Sequence, residues 1–130
     1  MLKLFVLSFW KPFLWVILVS LGSAMSGKSV SKIKFFHIPY FDKIVHFGMY
    51  FLLTFLLLQS FLKWTQEKNQ LSHKFYILSL FISIFYGGIL EILQGIFFVH
   101  RSCDVSDLLA NSLGAFAATL AFDFRKKICK

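Results

Sequence analysis

Acidic residues are scarce in this chain: six of 130, against 14 lysines and arginines, with two cysteines, two prolines and seven glycines. Two cysteines, neither in CxxC spacing, exclude a disulfide-stapled scaffold and a thiolate zinc module, and Cys103 and Cys129 are read as incidental. Sparse proline and glycine, with no internal repeat and no low-complexity tract, exclude collagen-like and linker-rich architectures. Charge is scarce too. Only 15% of the chain is charged while 58% is hydrophobic, 18 residues are phenylalanine, and the mean hydropathy is +0.72. An ordinary soluble domain carries about 25% charged residues, so this composition points to the bilayer.

A transmembrane helix needs about 20 mainly apolar residues. Four stretches come near that, at 12–26, 44–62, 75–99 and 107–123. The sequence therefore predicts an all-α fold: a polytopic membrane protein with four transmembrane helices in one bundle, a single domain over 1–130. The first stretch has a second reading as a secretory signal, because Lys3 and Lys11 precede an apolar core that ends in Gly22, Ser23 and Ala24. Leu4, Phe5, Val6 and Leu7, ahead of Lys11-Pro12, make its entry long for a signal and favour a retained helix. With four helices both termini share one side, together with Lys63, Lys68, Lys74, Arg125, Lys126 and Lys127. The positive-inside rule places that side in the cytoplasm.

A formal charge of +8 would suit nucleic acid in a soluble protein. Here the basic residues flank spans and no nucleic-acid module is present, so membrane lipids are the expected partner and nucleic acid is not. Segment 27–41 mixes lysines with aromatics around Pro39 and reads as an interfacial loop or lid on the outer head groups. Segment 63–74 reads as a cytoplasmic connector. The short link 100–106 makes the last two helices antiparallel neighbours.

Ionisable groups inside membrane-length segments are costly and mark a working site or its scaffold. Asp42, His46, Tyr50 and Thr54 recur every four residues, which stacks them along one side of the second helix. Gly87, Gly88, Glu91, Gln94, Gly95 and Phe98 share a face of the third, and Asp107, Asn111, Gly114 and Ala118 a face of the fourth. At a rise of about 1.5 Å per residue, Glu91 lies roughly 12 Å below the outer end of its stretch, with His46 and Asn111 about one turn in. The polar groups thus fall in the outer half. The expected arrangement is one outward-opening cluster of His46, Glu91, Gln94, Arg101, Asp107 and Asn111.

The ordered set Phe41-Asp42-Lys43-Ile44-Val45-His46-Phe47 with Tyr50, then Glu91-x-x-Gln94, Arg101, Asp104 and Asp107-x-x-x-Asn111-x-x-Gly114, resembles the VanZ-like membrane proteins. The resemblance covers the second to fourth helices. It implies a small bacterial inner-membrane protein and, from the namesake members, lowered susceptibility to teicoplanin-type glycopeptides. The turn Arg101-Ser102-Cys103-Asp104 departs from the usual pattern in carrying a cysteine.

Two readings of the polar cluster stand side by side. In the functional one, His46 and Glu91 act as acid and base or ligate a cation, while Arg101 and Asn111 hold an anionic or amide group of a lipid-linked substrate. Asp42, Lys43, Tyr50, Gln94, Asp104 and Asp107 complete the substrate-binding set. In the structural one, the same residues form a buried hydrogen-bonded network that fixes helix packing. Asp107 is then a cap at a helix N-terminus, and Asn111 an interhelical hydrogen-bond donor. Arg101 is the expected partner of Glu91.

His46, Glu91 and Asp107 can be imagined around a metal, but they carry no ligand-spacing signature, so neither metal nor cofactor is expected. Ala110, Gly114 and Ala118 form a small-xxx-small stripe for close packing, within the monomer or across a homodimer. Trp10, Tyr40, Phe41, Phe97 and Phe98 read as lipid-facing or interfacial.

Three function classes follow. One is an envelope protein that binds a cell-wall precursor, a lipid head group or the lipid tail of a lipoglycopeptide. Another is an intramembrane enzyme acting on a lipid-linked substrate. The third, a minimal four-helix transporter with Glu91 as exchange site, is disfavoured by Arg101 nearby and by a cluster displaced from the midplane.

Overall fold

A computed structural model describes residues 1–24, 40–66, 71–97 and 105–128. Four helices make up these segments: α1 (Leu2–Ala24), α2 (Phe41–Thr65), α3 (His73–Phe97) and α4 (Val105–Ile128). The shortest has 23 residues, about 35 Å at 1.5 Å per residue, more than the roughly 30 Å hydrocarbon core. All four are long and apolar enough to cross a membrane, and they pack together, as the composition requires of a multi-pass membrane protein.

The largest departure from the sequence reading is the start of α1, which lies at Leu2 rather than near residue 12. Pro12 sits inside the helix. A proline there removes one N–H and ordinarily ends or kinks a helix. In a bilayer the backbone has no water to turn to, so a helix continued through a proline is better than an end placed in the apolar region. α2 likewise runs beyond 44–62 at both ends. It is bounded by Tyr40 (φ 66°) and Gln66 (φ 57°), both in the left-handed region, which stops a helix sharply. Of the segment 27–41, read as an interfacial loop or lid, residues 27–39 lie outside the described residues, as do Cys103 and Cys129, while Tyr40 is a turn and Phe41 already opens α2.

α2 is the hub. It contacts the other three helices, and its seam with α4 is the most extensive in the bundle. The small-residue stripe makes that seam: Ala110, Gly114, Ala115 and Ala118 are all buried. It is used inside the protein, where the backbones of α2 and α4 meet at Gly114 and Phe47. The core proper lies toward the C-terminal end of α2, where Leu53, Leu57, Leu58 and Phe61 pack with Leu71, Phe75 and Phe122. Phe61 stacks on Phe75 with ring centroids 4.9 Å apart and meets Phe9 of α1 edge-on at 5.0 Å. Most other large apolar side chains face outward, Trp10, Tyr40 and Phe97 among them, as lipid-facing residues do. Phe41 is half-buried instead.

Several polar side chains inside the bundle join one helix to another. Thr54 Oγ1 donates to Ser83 Oγ at 2.8 Å, joining α2 to α3. α1 is tied in by Trp15 Nε1, which donates to the Met49 carbonyl at 3.0 Å. Tyr86 donates to the Val16 carbonyl at 2.9 Å and receives Ser20 Oγ at 2.7 Å.

Candidate functional site

Three helical stripes converge at the N-terminal end of α2. Along α2, burial deepens by turns: Asp42 is exposed at the rim, His46 is half-buried, and Tyr50 and Thr54 are buried. On α3 the buried stripe is Phe75, Ser79, Ser83, Gly87 and Glu91, a strict four-residue step that ends with Gln94. Gly88 is half-buried and Gly95 is exposed, off the face expected for it. A step of four overshoots the 3.6-residue turn, so the stripe drifts and the next buried position comes after three residues. Phe98 lies outside the described residues. α4 contributes Asp107 in its first turn and Asn111 one turn on.

His46 stands at the centre. Its Nδ1 donates to Asn111 Oδ1 at 3.0 Å and lies 3.6 Å from Glu91 Oε1. Its Nε2 faces Asp107 Oδ2 at 4.0 Å. Lys43, one turn toward the rim, closes the other side of Asp107 with Nζ–Oδ1 of 2.8 Å, and sits 3.4 Å from Asp42 Oδ2. Glu91 is 3% exposed and Asn111 fully buried. Gly87 makes room for this: a Cβ there would lie 3.0 Å from Asn111 Nδ2 and 3.0 Å from Tyr50 Cε1. The Tyr50 ring and the Asn111 amide therefore seat directly against α3.

The protons follow from these distances. With Nδ1–H given to Asn111, a neutral His46 ring turns its bare Nε2 lone pair toward the Asp107 carboxylate. His46 therefore sits between two carboxylates and can receive a proton from one edge while holding another at the opposite edge. The same groups are also near one another as cation ligands would be, with one ligand atom from each of His46, Glu91 and Asp107 within 4.8 Å of the others. Ligands of a single zinc ion at bonds of roughly 2.1 Å stand about 3.4 Å apart, so the trio must close further to hold one. Lys43 already supplies a positive charge at Asp107.

Set against the sequence reading, His46, Glu91, Asp107 and Asn111 are together, with Lys43 beside them and Tyr50 beneath. Asn111 makes its interhelical bond as acceptor rather than donor, and its Nδ2 has no hydrogen-bond partner among the described residues. Asp107 stands in the first turn of α4, as a cap would, but turns its carboxylate to Lys43 and His46. Gln94 is buried one turn from Glu91, yet its Nε2 donates to the Ser23 carbonyl of α1 at 3.2 Å, so it clamps α1. Arg101 and Asp104 lie outside the described residues, and the Glu91–Arg101 pairing with them. The sequence reading missed the spacer role of Gly87. A glycine one turn before an intramembrane acid was the available signal.

The Lys43–Asp107 bridge gives a direct test of this register. A double-mutant cycle with Lys43→Met and Asp107→Asn, read as thermal melting in detergent, should return a coupling of about 1 kcal/mol, between the exposed and buried limits. Additive single effects would mean that α2 and α4 do not meet here.

Against known protein families, the VanZ/LLP1 profile matches residues 3–126. Neither a curated protein nor a solved structure matches the chain.

Proposed function

The chain belongs to the VanZ/LLP1 family, and from that premise we propose that it acts at the outer face of a bacterial inner membrane, with both termini cytoplasmic. Its polar cluster binds a lipid-linked envelope component, and that engagement lowers susceptibility to lipid-bearing glycopeptide antibiotics. The observation that carries the reading is the convergence of Glu91, His46 and Asp107 from three helices. Each ionised side chain in a membrane interior costs about 2.5–3.5 kcal/mol on insertion scales, whereas an interhelical hydrogen bond returns about 0.6 kcal/mol. Packing alone is a poor reason to bring two carboxylates, a histidine and a lysine together. Lys43, at the rim, offers an ammonium to an anionic head group, and the buried groups behind it set the charge that the ligand meets.

An enzymatic version of the same reading is favoured by one feature, the placement of the His46 ring between two carboxylates, which suits proton transfer. A susceptible laboratory host carrying wild type, His46→Gln or empty vector, matched for membrane abundance, separates these readings. Wild type should raise the teicoplanin endpoint several-fold and the vancomycin endpoint less, with His46→Gln at the vector value. Identical curves for wild type and vector would remove the antibiotic link. Mass spectrometry of lipid extracts from the same cells should show a new product only if the cluster is catalytic.

A further inference from the structure

We infer a second binding site, for the phosphate of an anionic membrane lipid, at the end of the bundle opposite His46. It does not rest on the reading of the polar cluster. An open cleft of about 80 Å³ lies between α1 and the C-terminal part of α2, with Ser8, Trp10, Lys11, Ser60 and Lys63 in its lining. From His46 to Ser60 along α2 is roughly 20 Å at 1.5 Å per residue, so the two sites stand near opposite faces of the bilayer.

Several independent features of the cleft point to an anion. Lys11 and Lys63 both line it, and neither meets a carboxylate among the described residues. Lys63 Nζ donates to the Leu7 carbonyl at 3.1 Å, which uses one of its three N–H groups and fixes the ammonium at the cleft wall. Lys11 Nζ lies 5.8 Å from the Trp10 ring centroid. The Ser8 side chain, 4% exposed, has a hydroxyl with no hydrogen-bond partner among the described residues. A hydroxyl without a partner and two ammonium groups lining one cleft form a donor set that a phosphate oxygen completes.

The surroundings select a lipid as the source of that phosphate. Trp10 is half exposed, an amphipathic ring of the kind that anchors at a membrane interface. Leu14 and Ile17 continue the Trp10 face of α1 at helical spacing and are exposed, which provides an apolar track for acyl chains. Lysines at this depth extend along their own stems to the head-group layer.

The test uses the full-length protein in neutral detergent, with lipid retention read by native mass spectrometry and stability by thermal melting. Phosphatidylglycerol, phosphatidylcholine and inorganic phosphate are compared on wild type, Lys11→Gln/Lys63→Gln and Lys11→Arg/Lys63→Arg. Two basic groups near the membrane surface should give a preference for phosphatidylglycerol over phosphatidylcholine of about 30-fold. The Arg pair should keep it and the Gln pair lose it. Should the Gln pair fail to fold, Lys11→Gln alone, whose ammonium holds no backbone group, should lower the preference about fivefold. Equal retention of the two lipids by wild type, or an unchanged preference in the Gln variants, overturns the site. Stabilisation by millimolar inorganic phosphate equal to that by phosphatidylglycerol overturns the lipid assignment.

Discussion

Gly114→Ala is expected to destabilise the bundle by about 3 kcal/mol, the upper end of the usual range for overpacking. A Cβ at residue 114 would lie 2.2 Å from the Phe47 carbonyl oxygen, 2.9 Å from its carbon and 3.0 Å from its Cα. All three atoms are backbone, so no side chain can swing aside. α2 must move as a unit, and it is held by α1 and α3 as well as by α4. Because His46 precedes Phe47, a displacement of α2 away from α4 also lengthens the 3.0 Å bond to Asn111. Stability and the site should therefore fail together. Gly48→Ala is the control: a Cβ there meets nothing within 4 Å, and relief of the glycine penalty should make it neutral or stabilising by up to about 1 kcal/mol. Thermal melting monitored by fluorescence size-exclusion would show the contrast. Matching melting points for the two variants would disprove the close crossing of α2 and α4.

That crossing shows how far the sequence could be read. The stripe of Ala110, Gly114 and Ala118 announces a close helix contact but not whose, because spacing within one helix carries no information about its neighbour. The structure assigns it to α2, through Phe47. The same limit applies to the cluster. Periodicity placed Asp42, His46, Tyr50 and Thr54 on one face of α2, and Glu91 with Gln94 on one face of α3; burial deepens along the first in that order, and on the second Glu91 and Gln94 are buried while Gly95 is not. Whether Asp107 meets Lys43, and Gln94 meets Ser23 rather than the cluster, depends on the axial register of helix pairs. That register is set by contacts such as Gly87 against Tyr50 and Asn111, which are tertiary. The spans themselves were legible because length and hydropathy are properties of a segment alone. Pro12 misled for the complementary reason: a proline is a stop signal in water, where a freed carbonyl can be hydrated, and loses that meaning in an apolar medium.

Glu91 divides the remaining readings. Glu91→Ala removes a side chain that is 3% exposed and leaves His46 without the carboxylate 3.6 Å from its Nδ1. Loss of one partner from a buried charged set costs about 3–5 kcal/mol, so this variant should lose folded protein as well as function. Glu91→Gln keeps the volume and a hydrogen-bonding oxygen and gives up only the charge and the ability to carry a proton. Its melting temperature should fall by no more than about 1 kcal/mol would cause. Function is then the deciding quantity. A packing network requires shape and hydrogen bonds, both of which glutamine supplies, so a scaffold role predicts full protection against teicoplanin by Glu91→Gln. A proton relay with His46, or a negative charge that positions Lys43 and the bound head group, requires the carboxylate. Either predicts a folded variant at the empty-vector endpoint. We expect the second outcome, because a glutamine at this position would have met every packing need without the desolvation of an acid. Wild-type protection by a well-folded Glu91→Gln would reduce the cluster to scaffold and move the search for a ligand site to the bundle's other end, where Lys11 and Lys63 already line a cleft.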